Sequence, residues 1–421
     1  MRLIPVLLTA TLVSSLSAGD WMSWRGPAGN GAAVGRGYAT TWSAASNVVW
    51  KVPVAARGAS TPVVAGDRIF LTGTQDGLNR VLCYNRDGRQ LWQVALGDAV
   101  PGKPGKDGTG ANPSAVTDGE SVFAYFKSGD LGGFRADGKP MWSINLQDEY
   151  GEDTLWWDLG TSPVLTRDAV IVACMHSGPS YLAAFEKTTG KLLWKHEREL
   201  GAPEEAAQSY ATPVVVSHAD FDELVVLGAD HVTSHDGRDG KELWRLSGLN
   251  PTGHKYFRSI ASAAVGDGIV VAPYARGNSL TAVRMGGTGD VTESHVIWAN
   301  KETSADVPTP AIADGRVFVC RDTGDQRGTV DCLDLETGKV IWSGQLPKNR
   351  NTFRASPVVA DGRVYLARQD GTVFVVDATA DSFQLLAENS IADEHTVATP
   401  VFVDGTILLR TDSHLYLIAD Q

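Results

Sequence analysis

TPAIADGRVFV (309–319), SPVVADGRVYL (356–366) and TPVFVDGTILL (399–409) are three copies of one phrase: an apolar strand opened by Pro, a tight turn, and a second apolar strand. Further copies lie upstream as TPVVAGDRIFL (61–71), NPSAVTDGESVFA (112–124), SPVLTRDAVIVA (162–173), TPVVV (212–216) and SAAVGDGIVVA (262–272). A spacing of roughly 40 to 55 residues is the range in which four-stranded propeller blades repeat. Pro62, Pro163, Pro213, Pro310, Pro357 and Pro400 suit the start of an innermost strand, where an edge tolerates a missing N–H. The Asp-Gly pairs at 118, 314, 361 and 404 are hairpin signals between a first strand A and a second strand B.

The second half of each repeat ends in Trp. The endings are NRDGRQLW (85–92), RADGKPMW (135–142), KTTGKLLW (187–194), GRDGKELW (237–244), LETGKVIW (335–342) and a looser SHVIW (294–298). In the clear copies a Gly stands four residues before the Trp and a basic residue follows it. Trp92, Trp142, Trp194, Trp244, Trp298 and Trp342 therefore mark an outermost strand D, with indoles that wedge between blades. The seventh copy has LLAEN (385–389) instead. Trp50, in NVVWKVP (47–53), is a D-type strand with no A, B or C before it, and the last repeat stops after C at Gln421. The N-terminal strand should complete the last blade, which removes an open edge. The expected fold is all-β, a single eight-bladed propeller over 47–421, preceded by a clasp at 20–46. Trp21, Trp24 and Trp42 of the clasp should pack on the A–B rim or the barrel's side.

The Gly-Lys-x-x-Trp element, best at Gly190-Lys191 with Trp194, Gly240-Lys241 with Trp244 and Gly338-Lys339 with Trp342, resembles the pyrroloquinoline-quinone-type β-propeller repeat. The resemblance covers about 47–421, and the Trp residues it implies are structural. That family divides into quinoprotein dehydrogenases and non-catalytic members such as BamB. WRGP (24–27) is similar to the opening of secreted propeller-only members.

Composition sets location and excludes partners. Lys plus Arg is 37 and Asp plus Glu 49, a net −12 that argues against nucleic-acid or anionic-membrane binding. Arg2, the apolar run LIPVLLTATLV (3–13) and small residues at 15–19 read as a signal peptide over 1–19. The run is too short to span a bilayer, and no Cys near the cleavage site offers a lipid anchor. A monomeric, exported protein, periplasmic or extracellular, is expected. Of the four Cys, Cys320 and Cys332 are a candidate cross-strand bridge, with unpaired buried thiols as the alternative.

Function should sit on the rim carrying the D–A and B–C loops, because those vary from blade to blade. Arg57, Asp158, Gln208, Arg258, Asp306, Arg354 and His395 precede successive A strands and should form a polar ring around the axis. His176 and Arg276 come from B–C loops, as do Asp322 and Arg368. QDEYGEDTLWWDLG (147–160) adds Trp156 and Trp157 as a stacking surface for a ring, a sugar or a partner side chain, or as plugs of the funnel.

A quinoprotein dehydrogenase needs Ca²⁺ on oxygen ligands, a general base and a cofactor platform. Glu152, Asp153, Asp158 and Trp157 supply candidates, but there is no Cys-Cys pair and no EF-hand, zinc, P-loop or Gly-x-Ser-x-Gly spacing. The preferred expectation is a non-catalytic binding or scaffold module of the cell envelope with a protein partner, no cofactor and no metal. A dehydrogenase using pyrroloquinoline quinone and Ca²⁺, or a polysaccharide-binding propeller, are the alternatives.

Overall fold

The computed structural model describes residues 19–102, 108–277, 279–391 and 394–420. The leader expected over 1–19 lies, apart from Gly19, outside the described residues. Eight antiparallel sheets form the blades of a propeller. In blade 1 the strands Val63–Ala65, Arg68–Gln75, Leu78–Asn85 and Gln90–Asp98 pair in chain order. Inner strands are buried and D strands half-exposed, which matches apolar runs inside and alternation outside. Blade 8 takes Val401–Val403, Thr406–Arg410 and His414–Ile418, then Val48–Pro53 as its outermost strand, with Trp50 opposite Leu417. The chain ends thus close the propeller in one sheet.

The Trp–Gly pattern works between blades. Trp142 Nε1 donates to Lys187 O at 2.7 Å, Trp194 to Gly237 O at 3.1 Å and Trp298 to Leu335 O at 2.8 Å, each carbonyl in the C–D turn of the next blade. Trp50, Trp92 and Trp342 donate likewise to Arg86, Ala136 and Ala380. The repeat Gly lies against the indole arriving from the preceding blade. Gly338 has φ +66°, and a Cβ there would sit 2.4 Å from Trp298. Trp244 differs, because blade 5 has no such turn. It is buried, donates to Glu223 Oε1 of its own blade at 2.9 Å, and is flanked by a short fifth strand, Gly289–Asp290.

A second pattern closes the inner ring. The residue opening each A segment is Ser or Thr, and its hydroxyl accepts the backbone N–H of the equivalent residue one blade earlier. Thr61 N donates to Ser114, Ser114 N to Ser162, Ser162 N to Thr212 and Thr212 N to Ser262, at 2.8–2.9 Å. Ser262 N donates to Thr309, Thr309 N to Ser356, Ser356 N to Thr399 and Thr399 N back to Thr61, at 2.8–3.2 Å. The belt is a closed circuit of buried bonds around the axis, each about 1 kcal/mol net and costlier to leave unmade.

The segment from Asp20 to Tyr38 crosses the A–B rim. It pairs with the A strands of blade 1 (Trp21 N to Val64 O, 2.8 Å), blade 2 (Thr117 N to Met22 O, 3.0 Å), blade 6 (Ile312 N to Asn30 O, 3.0 Å) and blade 7 (Ala33 N to Val359 O, 2.8 Å). Arg25 is buried at the centre and donates to Pro357 O and Pro310 O at 3.1 and 3.0 Å. Burial lowers its pKa to about 9. Gly26 has φ +81°, and a Cβ there would lie 2.9 Å from the Trp21 indole. WRGP is thus a plug motif. Trp21 packs on the A–B rim and Trp42 on the barrel's flank, beside Asn389 of blade 7. Trp24 goes further than a rim position and enters the axial channel.

The cross-strand bridge does not form, and all four Cys are free and buried. The register sets Cys320 opposite Val330 and Cys332 opposite Phe318, so the two are diagonal neighbours. Such pairs stand about 7–8 Å apart, beyond disulfide reach.

Candidate binding funnel

Above the hydroxyl belt the channel widens into a funnel of about 850 Å³ on the D–A/B–C rim, with Trp24 at its floor. Of the seven residues expected as a ring, Asp158, Arg258, Asp306 and Arg354 line it. Arg57 instead faces a side cavity of about 410 Å³ between blades 1 and 2, formed with Gln75–Gly77 and Ala99–Gly102. Gln208 is fully buried, accepting from Trp156 N and Tyr210 Oη at 3.0 Å each. His395 lies against Asp412 and Gln369 in blades 8 and 7. His176 belongs to another cavity, with Pro179, Arg198 and Leu200, and Nδ1 lies 3.0 Å from Thr154 Oγ1.

The blade 2–3 connection begins with a helical turn, Leu146–Tyr150, capped by Asn145. It then lays Trp156 and Trp157 on the mouth at 42% and 47% exposure. Trp157 is tied on every side. Its N–H donates to Tyr210 Oη (3.2 Å), its indole to Glu205 Oε1 (3.0 Å), and its carbonyl accepts from Lys127 Nζ (3.1 Å). The Arg258 guanidinium stacks 5.1 Å from its ring and donates to buried Glu205 at 2.7 Å. Trp156 pairs with Tyr256, also exposed, at 6.4 Å between centroids. The two indoles form a fixed ledge, with Trp157 also lining the funnel.

The carboxylates of the funnel are each engaged. Asp158 Oδ2 accepts from Thr109 N, Gly110 N and Asn112 Nδ2 at 2.7–3.0 Å, and Oδ1 from Leu159 N, while burial raises its pKa. Asp306 takes a two-pronged bond from Arg276 at 3.1 and 3.0 Å. Asp322 accepts from Asp306 N (2.9 Å) and Arg354 (3.4 Å), and burial lifts it to about 6. Asp153, named above as a possible ligand, accepts from Leu155 N at 2.7 Å. Among the described residues no three His, Cys, Asp or Glu gather where an ion could sit.

Sequence reading missed Arg327, Arg350, Glu205 and Trp24 as parts of this site. Arg327 and Arg350 sit on a B–C loop and a D–A connection of unremarkable composition, and only the fold brings them together. The belt's Ser and Thr were present in every repeat but stood beside the more conspicuous Pro.

A profile of the family described as outer membrane protein assembly factor BamB matches residues 24–224, 157–324 and 290–419. No curated protein sequence matches. BamB from Moraxella catarrhalis superposes with TM-score 0.63 at 14% identity, over 88% of this chain and 99% of that one. A europium-containing methanol dehydrogenase gives 0.72 at 12%, over 96% and 98%. Quinohemoprotein alcohol dehydrogenase from Comamonas testosteroni gives 0.69 at 12%, over 95% and 80%. At these identities the solved structures share the fold alone. The repeat register, the closed propeller and the profile matches together place this chain in the outer membrane protein assembly factor BamB family.

Proposed function

We propose that this protein is an exported, non-catalytic binding scaffold of the cell envelope whose D–A/B–C rim receives a segment of a partner protein. The observation that carries this reading is the ledge of Trp156 and Trp157, large aromatics held in place by the protein's own hydrogen bonds yet nearly half exposed. Rigid exposed aromatics beside a concave, partly charged surface are the anchors around which protein interfaces form. The family's association with outer-membrane protein assembly agrees with a protein partner. Among the described residues no helix is long and apolar enough to cross a membrane.

The test is site-specific photo-crosslinking in the producing cells, with the reactive residue at position 156 or 351 on this rim and at position 36 on the A–B rim. Discrete adducts from the first two and none from the third are expected. Equal yields at all three, or none, overturn the reading. The dehydrogenase alternative is met by titrating pyrroloquinoline quinone with and without Ca²⁺. Saturable, Ca²⁺-dependent binding with dye-linked alcohol oxidation replaces the scaffold by an enzyme.

A further inference from the structure

The chain carries −12, yet the funnel wall is weighted the other way. Three of its arginines have carboxylates opposite them: Arg258 with Glu205, Arg276 with Asp306, and Arg354 with Asp322. Two more, Arg327 and Arg350, line the same funnel and form no ion pair with a carboxylate among the described residues. They are neighbours, since Arg327 Nη1 donates to the backbone carbonyl of Arg350 at 2.7 Å, so both arginines belong to one stretch of the funnel wall. In addition, Arg327 Nε and Arg258 Nε are buried donors with no hydrogen-bond acceptor among the described residues. Buried N–H groups of a charged side chain without an acceptor are costly, and both belong to side chains of this one cavity. A low-dielectric cleft with a surplus of one sign concentrates field on an incoming group of the other sign.

We propose that the funnel is a carboxylate-recognition site, taking Asp or Glu side chains of an acidic partner segment on Arg327 and Arg350 while apolar side chains of that segment rest on Trp156 and Trp157. The inference deepens the scaffold reading and rests on it. Arginine suits this task because its planar fork matches a carboxylate with two parallel bonds. The cation–aromatic contact of Arg258 with Trp157 makes the charged wall and the aromatic ledge one continuous surface. An acidic chain repelled by the net negative charge of this molecule finds a matching surface in the funnel, which gives register as well as attraction.

The experiment titrates the purified full chain, by fluorescence anisotropy, with a labelled peptide alternating Glu and Phe and with its Gln–Phe counterpart. The Glu peptide is expected to bind at least about tenfold more tightly, and added salt to narrow the difference. R327E and R350E should each weaken it by about tenfold or more, R327K should recover only part of the loss because an ammonium cannot make the paired bonds, and R36E on the A–B rim should change nothing. Thermal melts confirm that each variant is folded. Equal binding of the two peptides, or binding that R327E and R350E leave unchanged, overturns the carboxylate assignment but leaves rim recognition standing. Binding of citrate or polygalacturonate with none of the Glu peptide overturns the peptide as the source of the carboxylates. Failure of both peptides together with an absence of rim crosslinks removes the scaffold reading itself.

Discussion

Two levels of the same axis, a few residues apart in every repeat, behave in opposite ways. At the belt, eight Ser or Thr residues in equivalent positions make one and the same bond to the next blade. Just before them, equivalent positions do unrelated things: Asp158 ties down a loop, Arg258 stacks on Trp157, Gln208 is buried, and Arg57 faces a side cavity. The difference teaches where selection for structure stops. A residue whose partner is the next copy of itself must repeat. A residue whose partner is a loop is released from the repeat, and that freedom is what a binding surface needs.

The contrast can be broken from the structural side first. Arg25→Ala removes two buried bonds to the A segments of blades 6 and 7 and leaves their carbonyls unmet, at a cost of about 2–4 kcal/mol. The melting temperature should drop by several degrees or more, with Arg25→Lys recovering little because one ammonium cannot fork to both carbonyls. A melt of Arg25→Ala coinciding with wild type would remove the plug from the stabilising core. Ser162→Ala breaks one link of the belt by orphaning Ser114 N, costing about 1–3 kcal/mol, while Ser162→Thr should melt near wild type because Thr serves elsewhere in the circuit. Equal melts for the Ala and Thr variants would mean that the belt contributes nothing.

A smaller effect sharpens the comparison at the funnel. Burial raises Asp322 from 3.8 to about 6, so between those values the native state holds a proton that the unfolded chain has released. Stability therefore falls as pH rises through that window, by up to about 1.4 kcal/mol per pH unit for this one group. Asp322→Asn cannot titrate, and denaturant midpoints measured from pH 4 to 7 should lose that component of slope. An unchanged slope would contradict it. The smallest expected effect is Arg350→Glu, exposed and off the belt, which should leave stability within about 0.5 kcal/mol of wild type while weakening the acidic peptide. A stability loss as large as that of Ser162→Ala would erase the distinction between the two levels.

The molecule's architecture was legible in its sequence because blade contacts are periodic. A Gly four residues before a Trp carries its meaning in its spacing, and the incomplete first and last repeats announce their own union, as Val48–Pro53 in blade 8 shows. Even the belt was written in every TP, SP and SA pair, though its hydrogen bonds, running from one blade to the next, appear only once the ring is closed. The site was legible only in outline. Sequence placed Trp156, Trp157, Asp158, Arg258 and Arg354 on the D–A/B–C rim, where the structure has them, but it could not tell that His176 and His395 turn away, nor that Arg327 and Arg350 meet. Local pattern by itself determined the fold, because each blade repeats the same turn chemistry and the same indole contact. Tertiary structure alone decided the funnel, because its charges come from loops without period, and whether a guanidinium finds a carboxylate depends on three-dimensional distance that no spacing along the chain encodes.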